Sequence, residues 1–449
     1  MADNSLLEKM LDFTEFNIDD LKHNENDIMF YVSKKEKPNV CPVCGVIEPK
    51  LRVQQRRNQE VRDISILNKR VGLTINRTKY KCMECKSTFY ETLDSVRQNS
   101  KMTTRFREYI AEQSKRRSFI ELERELAISN VTIRNIFLDE AKKIPKFFEI
   151  ETPNILGIDE IHIQREGKSR KQAWALICNG TDHTVIDMLR DRNKPTIIDF
   201  FSRLKQPYNV AFVTMDMWQP YRDAVYQALP QAEIIIDKFH VLKIVNEAFE
   251  KYRKSLKDKL GKRNVKLKKE RYLLLSRPHK LNMKGIIYRD AWFSEFPELK
   301  VAYDLKEQFF NIYEATTAKE AVRKYTDWLV AIPDDLTIYN DTAKTVKNWG
   351  REIFNYFSYG RLTNAFVEGI NNTIRAIEKQ GRGYDFDVLR AKVIFFINHK
   401  IIKTSFKTDA LFYSQSFTEE ELNELYTIKD RDYGVDFKDL IEAINEGLL

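Results

Sequence analysis

The chain has 449 residues, of which 43% are hydrophobic and 31% charged, with a net charge of +9 at pH 7. This length exceeds what one ordinary hydrophobic core fills, so we expect two to four domains. The small numbers of glycines (14) and prolines (12) exclude a collagen-like or broadly disordered chain. No apolar run reaches the roughly 18 residues that a membrane-spanning helix needs, so no span is predicted.

The first five residues are acidic and lack the basic and then apolar plan of a signal peptide. We therefore expect a cytoplasmic protein with reduced cysteines. Charge is unevenly distributed, because eleven basic and two acidic residues lie between Lys251 and Arg271. Such segregation favours a surface that binds a polyanion, although a solvated basic helix gives the same pattern.

Four of the five cysteines form two CxxC pairs, Cys41 with Cys44 and Cys82 with Cys85. Each pair can direct two thiolates at one tetrahedral ion, so we predict one structural Zn²⁺ in a zinc ribbon of short strands. A redox CxxC and two buried thiol pairs are the alternatives, but a redox site needs only one pair. The fifth cysteine, Cys178, lies in an apolar run and is interpreted as a core residue.

Basic and aromatic side chains surround the predicted ribbon, which suits contact with phosphates and stacking. A protein-interaction module is the alternative, since zinc ribbons serve both purposes. The residues concerned are Arg52, Arg56, Arg57, Arg62, Lys69, Arg70, Arg77, Lys79 and Lys81, with Tyr80, Phe89 and Tyr90 nearby.

Three helices are predicted between Thr103 and Lys143 from the spacing of their apolar residues. A break at Ile128-Ser129-Asn130 separates the second helix from the third, and Ser129 or Asn130 can cap the third helix. This pattern favours a helix-turn-helix that binds DNA, although a three-helix linker fits the same apolar spacing. The candidate DNA contacts are Thr132, Arg134 and Asn135 at the start of the third helix, and Arg116 and Arg117 in the basic run.

From residue 154 the apolar spacing becomes strand-like. We predict three consecutive strands, then a helix, a strand, a helix and a fifth strand, which is the order of a ribonuclease-H-like mixed sheet. In that fold the first and fourth strands are neighbours. The predicted strands are 154–163, 172–178, 184–189, 210–216 and 232–237, and the helices are 195–204 and 220–229.

Three acidic residues are the candidates for catalysis. Asp159 ends an apolar run in the first predicted strand, Asp216 ends the fourth, and Glu368 lies on a later predicted helix; we expect both aspartates at strand ends. Such a set can hold two hard divalent cations, which clamp the attacking and leaving oxygens of a phosphodiester. We therefore predict a metal-dependent phosphoryl transferase that acts on nucleic acid. Glu160, which follows Asp159 directly, is expected to face the opposite side of the strand.

The helix that carries Glu368 has an apolar stripe of Phe366, Ile370, Ile374 and Ile377. The polar side chains opposite this stripe are candidates to orient the glutamate. They include Asn371, Asn372 and Arg375, of which the last two are secondary site candidates. A solvated glutamate is the ordinary alternative.

Asp237 and His240 are further secondary candidates, because Asp237 ends the fifth predicted strand and His240 follows three residues later. They are expected either to assist at the metal site or to hold DNA, and capping of the next helix explains Asp237 equally well. Trp218 and Tyr221 are interpreted either as residues that stack on an unpaired nucleic-acid base or as core residues.

The segment between the fifth strand and the Glu368 helix is predicted to be a basic helical insertion. Lys254 and Arg263 in its first half are candidates for the wall of a DNA channel. The predicted domains are 1–95 (zinc ribbon), 96–148 (helix-turn-helix), 149–245 with 346–403 (catalytic), 246–345 (insertion) and 404–449 (acidic tail of unassigned role).

Taken in order, these motifs resemble the ISL3 type of bacterial insertion-sequence transposases. The resemblance covers nearly the whole chain, and it is the combination of motifs that is specific. Besides the paired CxxC motifs and the helix-turn-helix, these motifs include Asp216-Met217-Trp218-Gln219-Pro220-Tyr221, Asp237-Lys238-Phe239-His240 and Asn364-Ala365-Phe366-Val367-Glu368-Gly369.

The resemblance implies a DDE transposase in which Asp159, Asp216 and Glu368 bind two Mg²⁺ or Mn²⁺. It further implies cleavage at the ends of a DNA element, strand transfer into target DNA, association with the nucleoid, and a homodimer or higher oligomer. A structure- or site-specific nuclease and an inert DNA-binding regulator on the same fold are the alternatives.

Overall fold

The computed structural model describes residue 8 and residues 11–144, 150–163, 172–256, 261 and 264–398. The predicted acidic tail and Arg263 lie outside these residues.

The N-terminal part is built on a five-stranded sheet with strands β1 (Phe16–His23), β2 (Asp27–Lys34), β3 (Leu51–Ile66), β4 (Lys69–Cys82) and β5 (Thr88–Tyr90). The order is β1-β2-β4-β3, with β5 paired to β4. The expectation of short strands between the cysteine pairs was wrong, because β3 and β4 have 16 and 14 residues. Strands β1 and β2 were not predicted, although Phe16 and Ile18 alternate with polar residues and are buried in the core of this sheet.

Three helices follow, α1 (Thr104–Arg116), α2 (Phe119–Leu126) and α3 (Asn130–Ala141). Ala127 has a left-handed backbone and ends α2. The Ser129 hydroxyl accepts a hydrogen bond from the Thr132 amide and caps α3, which confirms one of the two predicted caps.

The second sheet contains β6 (Ile155–Ile163), β7 (Gln172–Asn179), β8 (Thr184–Leu189), β9 (Phe212–Met215) and β10 (Glu233–Ile236), in the order β10-β9-β6-β7-β8. β6, β7 and β8 pair antiparallel, whereas β9 pairs parallel with both β6 and β10. Helices α4 (Lys194–Ser202) and α5 (Gln219–Ala228) connect β8 to β9 and β9 to β10. The predicted order of elements and the pairing of the first and fourth strands are therefore confirmed.

Ten further helices complete the described chain. They are α6 (Lys238–Ser255), α7 (Asn264–Lys269), α8 (Tyr272–Leu275), α9 (Met283–Glu295), α10 (Pro297–Ile312), α11 (Ala318–Val330), α12 (Asn340–Asn348), α13 (Gly350–Ser358), α14 (Ala365–Gly381) and α15 (Phe386–Ile397). Helix α6 runs across the predicted boundary at residues 245 and 246. No helix in the described part of the chain is long and apolar enough to cross a membrane.

The two faces of the second sheet are covered by different helices. Leu156 and Ile158 of β6 belong to a large core shared with α4, α5, α6 and the helices of the predicted insertion. Ile161 and Ile163 belong to a second core with α14 and α15. Because side chains alternate along a strand, odd-numbered residues of β6 face α14.

Lys392 of α15 joins the three-helix unit to the second sheet's helices. The residue is only 2% exposed, and its Nζ donates hydrogen bonds to the carbonyl oxygens of Ser114 (2.6 Å) and Arg117 (2.9 Å) at the end of α1. The rings of Phe119 and Phe137 flank it at 4.7 and 5.2 Å. Burial lowers the pKa of Lys392 to about 7.

Candidate active site and zinc centre

The four cysteines converge at the far end of the β3–β4 pair. Their sulfur atoms all lie within 4.8 Å of one another, and Cys41 Sγ is 3.8 Å from Cys85 Sγ. Hydrogen bonds from the backbone and side chain of Ser87 lower the pKa of the Cys85 thiol to about 6. Four converging thiols, one of them readily ionised, fit a tetrahedral structural Zn²⁺. Cys178 is fully buried in the second core, as predicted.

Three aspartates lie side by side where the parallel pairing of β6, β9 and β10 stops. Asp216 and Asp237 follow the ends of β9 and β10, whereas Asp159 lies within β6, which continues to Ile163 in its antiparallel pairing with β7, so the expectation that Asp159 ends a strand was wrong. Ile158, Met215 and Ile236 are the last paired residues of β6, β9 and β10 in the parallel register. Asp159, Asp216 and Asp237 follow them directly. Since adjacent strands are about 4.8 Å apart, each aspartate is a neighbour of the next, and Asp216 lies between the other two.

The electrostatics reflect this row of acids. Burial and the negative charge of Asp216 raise the pKa of Asp159 to about 7. The same two causes, in the same order, raise the pKa of Asp237. The Asp237 Oδ1 atom is buried without a hydrogen-bond partner, and its side chain does not cap α6. A cation beside the row would offset the repulsion between these carboxylates.

Helix α14 is fixed against this row by two asparagines. The Asn364 amide donates to the Ile158 carbonyl oxygen (3.1 Å), and its Oδ1 accepts from the Thr214 hydroxyl (3.0 Å). The Asn371 amide donates to Asp159 Oδ2 at 2.6 Å. Asn371 is buried, so the predicted helix face was wrong for this residue: the buried stripe contains Val367 and Asn371, and Phe366 lies only half-buried beside it.

Gly157 permits the close approach of α14 to β6. A Cβ atom at this position would lie 2.8 Å from Phe366 Cζ, 3.0 Å from Asn364 Oδ1 and 3.1 Å from Val367 Cγ2. All three atoms belong to residues at the start of α14. The absence of a side chain at Gly157 therefore sets the distance between the helix and the part of β6 that carries Asp159.

His240 contacts the middle aspartate of the row. Its Nδ1 lies 3.0 Å from Asp216 Oδ1, and this hydrogen bond raises the pKa of the imidazole. His240 is in the first turn of α6, three residues after Asp237. The histidine therefore holds the orientation of the Asp216 carboxylate through Oδ1.

Glu160 faces away from Asp159, as expected. It forms an ion pair with Arg192, and its Oε2 lies 3.3 Å from His162 Nε2. The Arg192 guanidinium lies 4.1 Å from the centre of the Trp218 ring. Tyr221 is fully buried in the large core, which decides in favour of a core role for it, whereas Trp218 remains partly exposed.

Glu368 lies in the first turn of α14 and is exposed. Among the described residues, only the four cysteines form a group of three or more acidic, histidine or cysteine side chains with all ligand atoms within 4.8 Å. Glu368 precedes Asn371 by three residues and so lies nearly one turn from the Asp159 contact. Asn372 and Arg375 are exposed and hydrogen bond to each other at 3.1 Å.

The predicted DNA contacts differ in their surroundings. Arg134 pairs with Asp385 at 2.5 Å, and Arg117 pairs with Glu121 (2.8 Å) and Glu125. These pairs link residues on different elements or turns and were not predicted. Of the remaining described candidates, Thr132 is half-buried, and Arg116, Asn135 and Lys254 are exposed.

Comparison with known proteins agrees with this architecture. The model of the ISL3 family of DDE transposases, described as a transposase, matches residues 156–393, more than half of the 449 residues. A second model, described as the zinc-finger of transposase IS204/IS1001/IS1096/IS1165, matches residues 37–85. The transposase for insertion sequence element IS1001 of Bordetella parapertussis is 23% identical over 400 residues, which are 86% of this chain and 95% of that protein. The first match spans the aspartate row and α14, and the second spans all four cysteines. The chain therefore belongs to the ISL3 family of DDE transposases and is a DNA transposase.

Proposed function

We propose that Asp159, Asp216 and Glu368 are the catalytic acids of this transposase and bind two Mg²⁺ or Mn²⁺. The observation that carries the proposal is the shared register of Asp159 and Asp216, which directly follow the last residues paired in parallel between β6 and β9. Both follow residues of the large core, and Asp159 faces α14, where Glu368 lies one turn before the Asp159 partner Asn371. A cluster of acids where the parallel pairing stops suits ligand binding there.

The ribonuclease-H-like assignment is supported by strand order. An antiparallel set of three strands is followed by two parallel strands that extend the sheet from the first strand. This order places the middle of β6, with Asp159, beside the end of β9, which Asp216 follows; such proximity is what an acid pair for phosphoryl transfer needs. The helices after β10 then return the chain to the sheet through α14.

The bound cations would neutralise charge on the phosphodiester and lower the pKa of the attacking hydroxyl group. The chain's own residues prepare the acids for this task. Asn371 and the Glu160 amide donate to the two oxygens of Asp159, at 2.6 and 2.7 Å. His240 donates to Asp216. These bonds fix the rotamers of both aspartates before DNA binds.

Within this proposal the enzyme acts in two steps at one site. Water first attacks the phosphodiester at the element's end, which releases a 3′-hydroxyl. This hydroxyl then attacks a phosphodiester of the target DNA, and a 3′-oxygen of the target leaves. We infer that a dimer or higher oligomer holds the two element ends, since each end requires an active site.

We also propose that α2 and α3 form a DNA-binding helix-turn-helix. The short connection between them contains the left-handed Ala127 and the Ser129 cap, as this motif requires. Thr132, Arg134 and Asn135 then begin the recognition helix. In this role Arg134 would exchange its pairing with Asp385 for a phosphate or base edge.

The test is a cleavage and strand-transfer assay with a duplex that contains the ends of the element that encodes the protein. Asp159→Asn, Asp216→Asn and Glu368→Gln should each lower cleavage by at least about 1,000-fold, since each removes a ligand of the charge-neutralising cations. End binding should persist. Glu378→Gln, on the same helix nearly three turns further on, is the matched control and should cleave normally.

Normal cleavage by any of the three variants would remove that residue from the catalytic set. For Glu368 this outcome is the most informative, because its carboxylate is exposed and has no contact with the aspartate row in the described structure.

A further inference from the structure

One face of the zinc-ribbon sheet carries five basic side chains. Residues directly opposite each other on paired strands share a face. The register pairs Arg57 with Arg77 and Arg52 with Lys81. Lys79 lies between these pairs on the same face, opposite Gln55 on β3 and Tyr90 on β5. We call these five residues the basic face; they are Arg52, Arg57, Arg77, Lys79 and Lys81.

This arrangement of like charges destabilises the sheet. Like charges directly opposite each other repel, and burial together with nearby Arg57 lowers the pKa of Arg77. No member of the basic face forms an ion pair with an acidic side chain in the described part of the chain. Elsewhere in the same sheet basic residues are paired, for example Arg70 with Asp27 at 2.6 Å.

Aromatic contacts and a hydrogen bond restrict the side chains of the basic face. The Arg57 guanidinium lies 4.1 Å from the centre of the Tyr90 ring, and the charged groups of Arg77 and Lys79 lie 5.5 and 5.8 Å from it. Arg77 in addition donates to Gln59 Oε1 at 2.9 Å. Stacking on Tyr90 therefore reduces the side-chain entropy that a ligand would have to remove.

The dimensions suit a nucleic-acid backbone. The strand from Arg52 to Arg57 is exposed throughout and spans roughly 17 Å at about 3.4 Å per residue. A duplex carries one negative charge per about 1.7 Å of its axis. A row of cations of this length thus faces several phosphates at once, whereas the acidic carboxylates of a protein surface are rarely so dense.

We propose that the basic face binds the phosphate backbone of duplex DNA, independently of base sequence and separately from the α2–α3 unit. The proposal rests on the DNA transposase function of the chain. It assigns the zinc-ribbon sheet the role of a clamp that holds DNA by charge while other elements read the sequence. The zinc site maintains the clamp, since Leu51 and Cys82 pair at that end of β3 and β4.

The test is duplex binding by the full-length protein as a function of salt concentration. The variant carries Arg52→Gln, Arg57→Gln, Lys79→Gln and Lys81→Gln; Arg77 is kept because of its bond to Gln59. Two duplexes are compared, one with the element's end and one of scrambled sequence. We expect binding of both to weaken on the order of tenfold or more, and the slope of log affinity against log salt to fall by about 3 to 4.

The matched control removes four exposed lysines elsewhere: Lys37→Gln, Lys319→Gln, Lys344→Gln and Lys347→Gln. It has the same net charge as the variant and should keep the wild-type slope. Zinc content and melting temperature report folding. Both should be retained in the four-site variant, with a melting temperature equal to or above that of the wild type, because repulsion between opposed cations is removed.

An unchanged salt slope in a zinc-loaded variant overturns the proposal. Weaker binding of the element-end duplex alone would also overturn it, since the basic face would then read bases. Loss of self-association with DNA binding intact would overturn it as well, since the basic face would then bind an acidic protein surface. If the four-site variant loses zinc, Arg52→Gln with Lys81→Gln leaves the Tyr90 stack intact and should lower the slope by about 2. Wild-type protein that binds neither duplex would contradict the transposase function as well as the clamp.

Discussion

Replacement of Gly157 by alanine tests how the sheet and α14 assemble the active site. The added Cβ would lie 2.8 Å from Phe366 Cζ, 3.0 Å from Asn364 Oδ1 and 3.1 Å from Val367 Cγ2, where ordinary contacts begin at 3.4 Å. Rotation of one side chain cannot relieve all three contacts. The start of α14 must therefore move outward by several tenths of an ångström.

The cost can be estimated in two parts. An extra methyl group in a packed core destabilises by about 1–3 kcal/mol. Movement of α14 also strains the two Asn364 hydrogen bonds, each worth about 1 kcal/mol. Catalysis should fall as well, because a displacement on the order of 1 Å can cost about 100-fold in rate and a shift of several tenths of an ångström costs part of that. We expect Gly157→Ala to fold, with stability reduced by about 2–4 kcal/mol.

The assay combines urea unfolding with cleavage of an element-end duplex. Gly350→Ala is the control, because a Cβ atom at Gly350 meets nothing within 4 Å, and it should retain both stability and cleavage. Wild-type cleavage by Gly157→Ala would refute the claim that contact between β6 and α14 sets the geometry of the acids. A loss of stability without a loss of cleavage would refute it equally.

Two further predictions concern the zinc site and the buried lysine. Cys82→Ser should abolish stoichiometric zinc binding and unfold the N-terminal sheet, since structural zinc supplies about 10 kcal/mol or more of folding free energy; retained zinc in that variant would contradict the four-cysteine site. For Lys392, the folded pKa of about 7 lies below the unfolded value of about 10.4, so the unfolded chain holds the proton more tightly between these values. The free energy of unfolding should therefore rise with pH across this window by a few kcal/mol, and Lys392→Met should remove that rise in urea titrations at pH 7 and 9.5. The same pH dependence in both proteins would show that Lys392 is not desolvated.

Much of the active site follows from strand order. Apolar runs ending in Asp159 and Asp216, in a chain of three strands, helix, strand, helix and strand, predict two adjacent acids at strand ends. The register confirms that they are adjacent, but Asp159 lies within β6 and only Asp216 follows a strand end. The inclusion of Asp237 in the same row follows only from the parallel pairing of β10 with β9. Local sequence does not specify which edge of the sheet the last strand joins, so this pairing could not be predicted.

The face of α14 was harder to predict. Its apolar residues permit two helix phases that differ by about one residue, and the sequence favoured the phase in which Phe366 was buried and Asn371 exposed. The close approach at Gly157 selects the other phase and turns Asn371 toward Asp159. A buried asparagine among isoleucines is an unusual choice in a core, and that signal could have identified it.

Contacts between distant segments could not be predicted from local patterns. Arg134 and Asp385 are 251 residues apart, and Lys392 reaches carbonyl groups more than 270 residues earlier in the chain. Hydrophobic periodicity specifies which face of a helix is buried, but not which partner covers it. The joint between the three-helix unit and α15 therefore emerges only from the structure.

The most direct test of the catalytic proposal is a change of metal preference at Asp216. In Asp216→Cys a soft thiolate replaces a hard carboxylate, so the site should bind Mg²⁺ poorly and Mn²⁺ better. We expect cleavage of the element-end duplex by this variant to be lost in Mg²⁺ and partly restored in Mn²⁺, with wild-type protein active in both. Cleavage at the wild-type rate in Mg²⁺ would contradict the assignment of Asp216, at the centre of the aspartate row, as a ligand of the catalytic cations.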